Sequence, residues 1–197
     1  MKEEKNGCLN FSLIGIGAIV LIALIGFFSF KSIYNRIVSQ DEAIDASWSQ
    51  VENVLQRRYD LIPNLVNTVK GFARQEQEVL TEVTALRSQW ASAGTVAEKA
   101  QAASGIERAL GRLMVISERY PDLKSNVNFL RLQDELAGTE NRVSVERRRY
   151  NQAVQAYNTT IRKFPAFIIA NYMGAEERDV YFEAAEASLT APVVDFE

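Results

Sequence analysis

The chain has 197 residues, 47% of them hydrophobic and 24% charged, and a formal net charge of -3. That composition supports a folded core rather than disorder, and its acidic balance excludes nucleic acid as an expected partner, because such binders need a clustered basic surface. With one cysteine, Cys8, and no histidine, an intrachain disulfide is impossible and most zinc sites lack their ligands. The commonest general base is also absent, so the chain is expected not to be an enzyme.

Residues 1–8 form a short polar N-terminus. From Leu9 to Phe30 no side chain is charged. A helix over this run is roughly 33 Å long, matching a bilayer core of about 30 Å, and predicts a transmembrane helix over 9–30. The run ends in Phe27, Phe28, Ser29 and Phe30, which suits an uncleaved anchor better than a signal peptide. Its Lys and Arg flanks are balanced, Lys2 and Lys5 against Lys31 and Arg36, so the positive-inside rule assigns no orientation. Cys8 reads as a bystander thiol, with acylation or an interchain disulfide as alternatives. Gly15, Gly17 and Gly26 do not make a G-x-x-x-G motif.

Past the anchor, residues 31–92 carry an apolar seam at alternating steps of four and three, from Ile44 and Trp48 through Leu55, Leu65 and Val79 to Trp90. Pro63 falls inside it. Either Asp60 caps a new helix with Pro63 in its first turn, or one helix bends near residues 59–63. The unbroken phase favours the bend. Ala93 and Gly94 end this element, and Thr95 to Glu98 is a capping box. The next helix runs to about Arg119, with Ile106, Leu110, Leu113 and Ile116 or Ser117 inward. Tyr120-Pro121 stops it, and a long helix is expected from Pro121 to Lys163 with a seam from Phe129 to Phe164. Short loops make these antiparallel neighbours. Pro165 ends the last long helix. AFIIANYM then reads as a short closing helix ended by Gly174, or as a segment lying on the membrane or on another subunit. Residues 175–197 are expected to be a mostly irregular tail. The fold class is therefore all-α: one N-terminal transmembrane helix, then an antiparallel bundle over 31–174, with no sheet.

Four charged residues interrupt the seams: Arg58, Glu76, Glu140 and Arg147. Interhelical salt bridges are the bland explanation. A buried acid site at Glu76 and Glu140 is the sharper one, but a di-iron bundle needs Glu-x-x-His motifs and there is no His. The run Arg147, Arg148, Arg149 sits in a helical pattern, so it reads as a solvated face with one inward Arg rather than a phosphate site. A Tyr-Asn pair recurs at 150–151 and 157–158, with a third copy at 34–35. Tyrosines in the core with asparagines tying helices together is one reading, and a polar ladder at a subunit interface is the other. Trp48 and Trp90 read as seam residues rather than ligand platforms. No catalytic, cofactor-binding or metal-ligating residue is nominated, and no cofactor is expected.

Several stretches resemble one family. They are Tyr34-Asn35, Gln56 to Val66 (QRRYDLIPNLV), Val69 to Ala73 (VKGFA) with Glu76, Tyr120 to Lys124 (YPDLK), Leu132 to Leu136 (LQDEL), Thr139 to Arg142 (TENR), Arg147 with Tyr150-Asn151, Tyr157-Asn158 and Phe164-Pro165. In order and in placement after the anchor they are similar to the LemA family of bacterial membrane proteins. The resemblance implies a single-pass protein of the bacterial inner membrane, with its short N-terminus outside and a helical-bundle domain in the cytoplasm. It brings no activity, cofactor or site residue. The expected partners are the lipid bilayer through residues 9–30, a second copy of the chain in a homo-oligomer, and an unidentified protein. A self-associating scaffold is the first functional expectation, a sensor or adaptor acting through Pro63 the second, and a carboxylate-dependent enzyme the third.

Overall fold

A computed structural model describes residues 3–182, with side chains from residue 15 onward. The Cys8 thiol and residues 183–197 of the tail lie outside the described residues. Among the described residues seven helices follow one another: α1 (Glu3–Tyr59), α2 (Ile62–Phe72), α3 (Gln77–Ser92), α4 (Val96–Ser117), α5 (Pro121–Lys124), α6 (Val127–Arg162) and α7 (Ala166–Met173). There is no strand among the described residues. The all-α expectation holds, and α1 carries the charge-free run and the start of the apolar seam on one element.

The seam at Pro63 breaks instead of bending. Proline has no N–H to donate to the carbonyl four residues back, which here is Tyr59, and its ring crowds that carbonyl. The helix therefore ends at Tyr59, and Arg87 Nε donates to the freed Tyr59 carbonyl at 3.0 Å. Pro63 lies in the first turn of α2, as one alternative required, but the cap position is Leu61 and no side chain fills the capping role. Asp60 instead accepts a hydrogen bond from Gln56 Nε2 at 2.7 Å. A second break, unforeseen, separates α2 from α3 at residues 73–76. Glu76 occupies the cap of α3, but its side chain makes no cap bond.

The 93–95 turn forms as expected. Thr95 and Glu98 make the reciprocal capping box, and the N–H groups of Gly94 and Thr95 hold the Glu98 carboxyl below its ordinary pKa. The expected single helix from Pro121 to Lys163 is instead two. Pro121 opens α5, which lasts only to Lys124, and α6 starts at Val127. Asn126 accepts from the backbone N–H of Asn128 (3.0 Å) and Phe129 (3.2 Å), the bonds of an asparagine N-cap. Gly174 ends α7 in the left-handed region, at φ 67°.

The chain divides into two compact units. One comprises Ile44–Val154 and Asp179–Glu197. Here α1 meets α6 through Trp48 with Tyr150 and Arg58 with Glu140, so the two helices run antiparallel. Likewise α4 meets α6 through Glu107 with Arg147 and Met114 with Gln133, and α3 meets α4 through Glu82 with Arg112. A Cβ on Gly105 would meet the Leu86 side chain at 3.0 Å, so glycine sets how closely α4 approaches α3. Val51, Leu55, Ile62, Leu65, Val83, Ile106, Leu113, Phe129 and Val143 fill the core as the seams predict. Phe72, the last residue of α2, is an exception, exposed where the C-cap residue Ala73 is buried.

The other unit comprises Met1–Ala43 and Gln155–Arg178. Ile37, Tyr157, Ile161, Ile169 and Ala170 are buried in it. Phe164, expected at the end of the α6 seam, is instead 83% exposed.

Candidate functional site

The four charged seam residues were the first place to look for chemistry, and each is an ion-pair partner. In the Ile44–Val154 unit, Arg58 projects from the last turn of α1 and pairs with Glu140 on α6. Its side chain is 9% exposed against 44% for Glu140. Arg147 on α6 pairs with Glu107 on α4 at 2.5 Å. Sequence reasoning missed Glu107, because it lies beside the α4 seam rather than on it. Glu76 accepts from Arg119 Nη2 at 3.0 Å and from the Tyr120 hydroxyl at 3.3 Å. The two carboxylates considered as an acid pair are thus held by different arginines.

The charges of Glu107, Arg147 and Arg58 act on Tyr59. Burial holds the Arg58 guanidinium below its ordinary pKa and outweighs the opposing charge of Glu107. Burial, and then the negative charge of Glu107, push the Tyr59 phenol above its ordinary range. The Tyr59 ring meets Trp90 edge-on, centroids 5.0 Å apart at 80°. The Tyr59 hydroxyl and Trp90 Nε1 are both buried without a hydrogen-bond partner among the described residues. Lys99, itself paired with Glu52, lies 5.5 Å over the Trp90 ring. A nucleophile would need a base within reach, and Tyr59 has none. Among the described residues no cluster of three His, Cys, Asp or Glu side chains could hold a metal ion. A cavity of about 420 Å³ lies between α2 and α6, lined by Asn64, Asn67, Thr68, Asn128, Arg131 and Glu135. It is open to solvent, and no nucleophile–base pair lines it.

The arginine run behaves as its helical spacing requires. Arg147 points inward, while Arg149 pairs with Glu146 on the surface at 2.8 Å.

The Tyr-Asn pairs give the more specific geometry. Tyr150 and Tyr157 are core residues, each 3% exposed. Burial raises the Tyr157 phenol, reinforced by Asp41. The asparagines bind backbone in the stretch after α7. Asn151 Nδ2 donates to the Phe182 carbonyl at 2.8 Å, and the Phe182 N–H donates to Asn151 Oδ1 at 3.0 Å. Within the other unit, Asn158 makes the same two bonds to Arg178, at 2.7 and 2.9 Å. Arg178 also donates to Asp41 through Nε and Nη2 at 3.2 and 2.8 Å. A carboxamide carries one donor and one acceptor side by side, as one edge of a peptide group pair does. Each asparagine thus acts as a single rung of a strand ladder for an extended segment. Among the described residues Tyr34-Asn35 makes no such bonds; Tyr34 is exposed and stacks on Phe30.

Phe182 is gripped by its ring as well. It stacks on Trp48 (5.9 Å, 14°), meets Tyr150 edge-on (5.7 Å, 73°) and lies 4.7 Å beneath the Arg147 guanidinium. Trp48 is therefore both a seam residue and a ring platform. The heptad repeat of Tyr-Asn was the sequence signal for this site, but nothing in it shows that the asparagines would face a non-helical segment.

Residues 47–196 match the model of the LemA family. The chain is also similar to Magnetosome protein MamQ 2 of Paramagnetospirillum magneticum, 26% identical over 93% of this chain and 75% of that protein. Magnetosome protein MamQ of Magnetospirillum gryphiswaldense is 25% identical over 90% of this chain and 76% of its own length. Protein LemA of Metamycoplasma hominis is 24% identical over 84% and 76%.

Proposed function

Because this chain belongs to the LemA family, we propose that it is a single-pass protein of the bacterial inner membrane that acts as a self-associating, non-enzymatic scaffold. One observation carries the membrane part of this reading. Along α1, Ile19, Ile22, Ile25, Phe27 and Phe28 are each between 59% and 68% exposed, and nothing among the described residues covers them. A helix with every backbone group bonded internally and an apolar surface all round is stable in lipid and costly in water. The helix is also long and apolar enough to cross a membrane. In the same unit, α7 and Phe164 just before it add a second apolar face: Phe164, Phe167, Ile168 and Tyr172 are between 51% and 83% exposed. The Tyr172 ring meets that of Phe30, the last residue of the charge-free run, at 6.4 Å. This position suits α7 to the bilayer boundary, where aromatic side chains are favoured.

The scaffold part is supported by how the polar residues are used. Arg58, Glu140, Arg147, Glu107 and Glu76 are all engaged in pairs that fix helix packing. Anchoring confines copies to two dimensions and raises their effective concentration, so modest contacts suffice for association. The test is the mass of the full-length chain in mild detergent by light scattering, beside a chain starting at residue 31. A defined multimer is expected. A monomer in both preparations would overturn the scaffold reading.

An adaptor is the second reading, favoured by the break between α1 and α2. Replacing Pro63 by Ala restores the missing N–H and allows α1 to continue. A scaffold is indifferent to that change, whereas an adaptor that works through the break loses its partner response.

A further inference from the structure

The stretch after α6 is apolar on more sides than its own unit covers. Between Lys163 and Glu176 no residue is charged. Within it, α7 turns one side inward: Ala166, Ile169 and Ala170 are buried. At about 100° per residue, Phe167, Ile168 and Tyr172 fall on the opposite side, with Asn171 between them. Those three are 51%, 57% and 81% exposed. A helix that is apolar on both sides needs two apolar neighbours, and its own unit supplies one.

Three observations identify the second neighbour as lipid. The Tyr172 ring meets the Phe30 ring at 6.4 Å and 68°, and Phe30 is followed by Lys31, the first charge after the anchor run. The exposed side of α7 is therefore continuous with the apolar surface of α1, at the level where that surface ends. The charge-free run is also about a dozen residues, too short to span a bilayer and of the length of an interfacial segment. Lys163 comes immediately before Phe164 and is exposed, as Lys31 is, which suits cations at the level of the lipid phosphates.

We propose that Phe164 and the outer side of α7 lie in the headgroup–acyl boundary of the bilayer, as a second attachment beside the α1 anchor. The proposal rests on the membrane reading above and adds a contact that the anchor alone does not require. A single spanning helix leaves the unit it carries free to turn about the helix axis. A second contact, off that axis, removes the rotation and sets which side of the unit rests on lipid. The aromatic rings suit the place, because they bury a flat apolar body where the acyl chains begin.

The experiment uses the full-length chain in vesicles of phosphatidylcholine and phosphatidylglycerol. Cys8→Ser leaves no native thiol, and Ile168→Cys, Ile22→Cys or Val115→Cys then supplies a single one for an environment-sensitive fluorophore. All three positions are exposed, at 57%, 68% and 70%, so no buried contact is lost. The Ile168 label should shift to the blue and lose emission to lipids that carry a nitroxide just below the headgroup. Lipids with the nitroxide near the chain end should quench it less, as fits a depth of about 5–10 Å. The Ile22 label, inside the anchor, should be quenched by nitroxide lipids and shielded from aqueous iodide. The Val115 label should respond to iodide alone. If Ile22 is quenched by lipid and Ile168 only by iodide, the second attachment is overturned and the anchor stands. An Ile22 label open to iodide overturns the membrane reading itself. An Ile168 label shielded from both quenchers is covered by protein, and that too overturns the proposal.

Discussion

The two units of this chain solve opposite problems with the same type of element. In the Ile44–Val154 unit, one stripe of each helix is apolar and buried, and the charges that fall on the stripe find partners: Arg58 with Glu140, Arg147 with Glu107. In the other unit, Ile19, Ile22 and Phe28 are turned outward, and only a few side chains, Ile37, Tyr157 and Ile161 among them, are enclosed. The contrast shows that a hydrophobic helix is defined by its surroundings as much as by its composition. Apolarity on one face specifies a neighbour, whereas apolarity all round specifies a solvent.

Substitutions that treat the two units alike should separate them most. Leu55→Ala, at a fully buried position, should cost about 3 kcal/mol of unfolding free energy in a denaturant titration of the detergent-solubilised chain. Ile22→Ala should change that measurement little. Conversely, Ile22→Arg places a charge where membrane insertion costs about 3 kcal/mol, and should move the chain out of the carbonate-resistant membrane fraction. A comparable unfolding loss from Ile22→Ala would erase the distinction between the units.

A smaller effect tests the charges inside the bundle. Glu140→Gln leaves the buried Arg58 guanidinium without its counter-ion, and should cost about 2 kcal/mol, less than a fully buried pair because Glu140 is itself half-exposed. Tyr59 gives a pH signature. Its phenol titrates near about 10 in an unfolded chain and higher in the fold, where it is buried. Its contribution is therefore complete below about pH 10 and is lost as the pH rises beyond, at about 1.4 kcal/mol per unit. Denaturation midpoints on either side of about pH 10 should show the fall, and Tyr59→Phe should flatten it relative to the wild type. Thr95→Ala removes one half of the α4 capping box and should cost about 1 kcal/mol. At the bottom of the scale, Arg149→Ala breaks a surface pair with Glu146 and should shift the midpoint by less than about 0.5 kcal/mol.

Local chemistry written into a few residues was legible in the sequence. Thr95 and Glu98 announce a helix start because the cap is made within four residues, and Gly174 announces an end because its φ of 67° suits glycine. The α1 seam was legible too, since its period is a property of the helix alone. Where α2 ends was not. No proline or capping side chain marks residues 73–76, and Glu76 there serves Arg119 and Tyr120 from distant parts of the chain. Asn126 was legible and overlooked: an asparagine five residues after Pro121 signals a second start. The candidate site divides the same way. That Tyr150 and Tyr157 would be inward follows from their heptad spacing. That Asn151 would hold Phe182 depends on a return of the chain from α7, and no pattern in α6 contains it.

The antiparallel pairing of α1 with α6 also sets a timetable for synthesis. Trp48 and Tyr150 meet across about a hundred residues of chain. At roughly 5–20 residues per second, the ribosome takes about 5–20 s to make the second after the first. The charge-free run of α1 is complete throughout that interval, while Ile44, Val51 and Leu55 still lack the helix that will cover them. Each new molecule therefore passes through a period as a half-finished stripe, its apolar face made before the surface that will bury it.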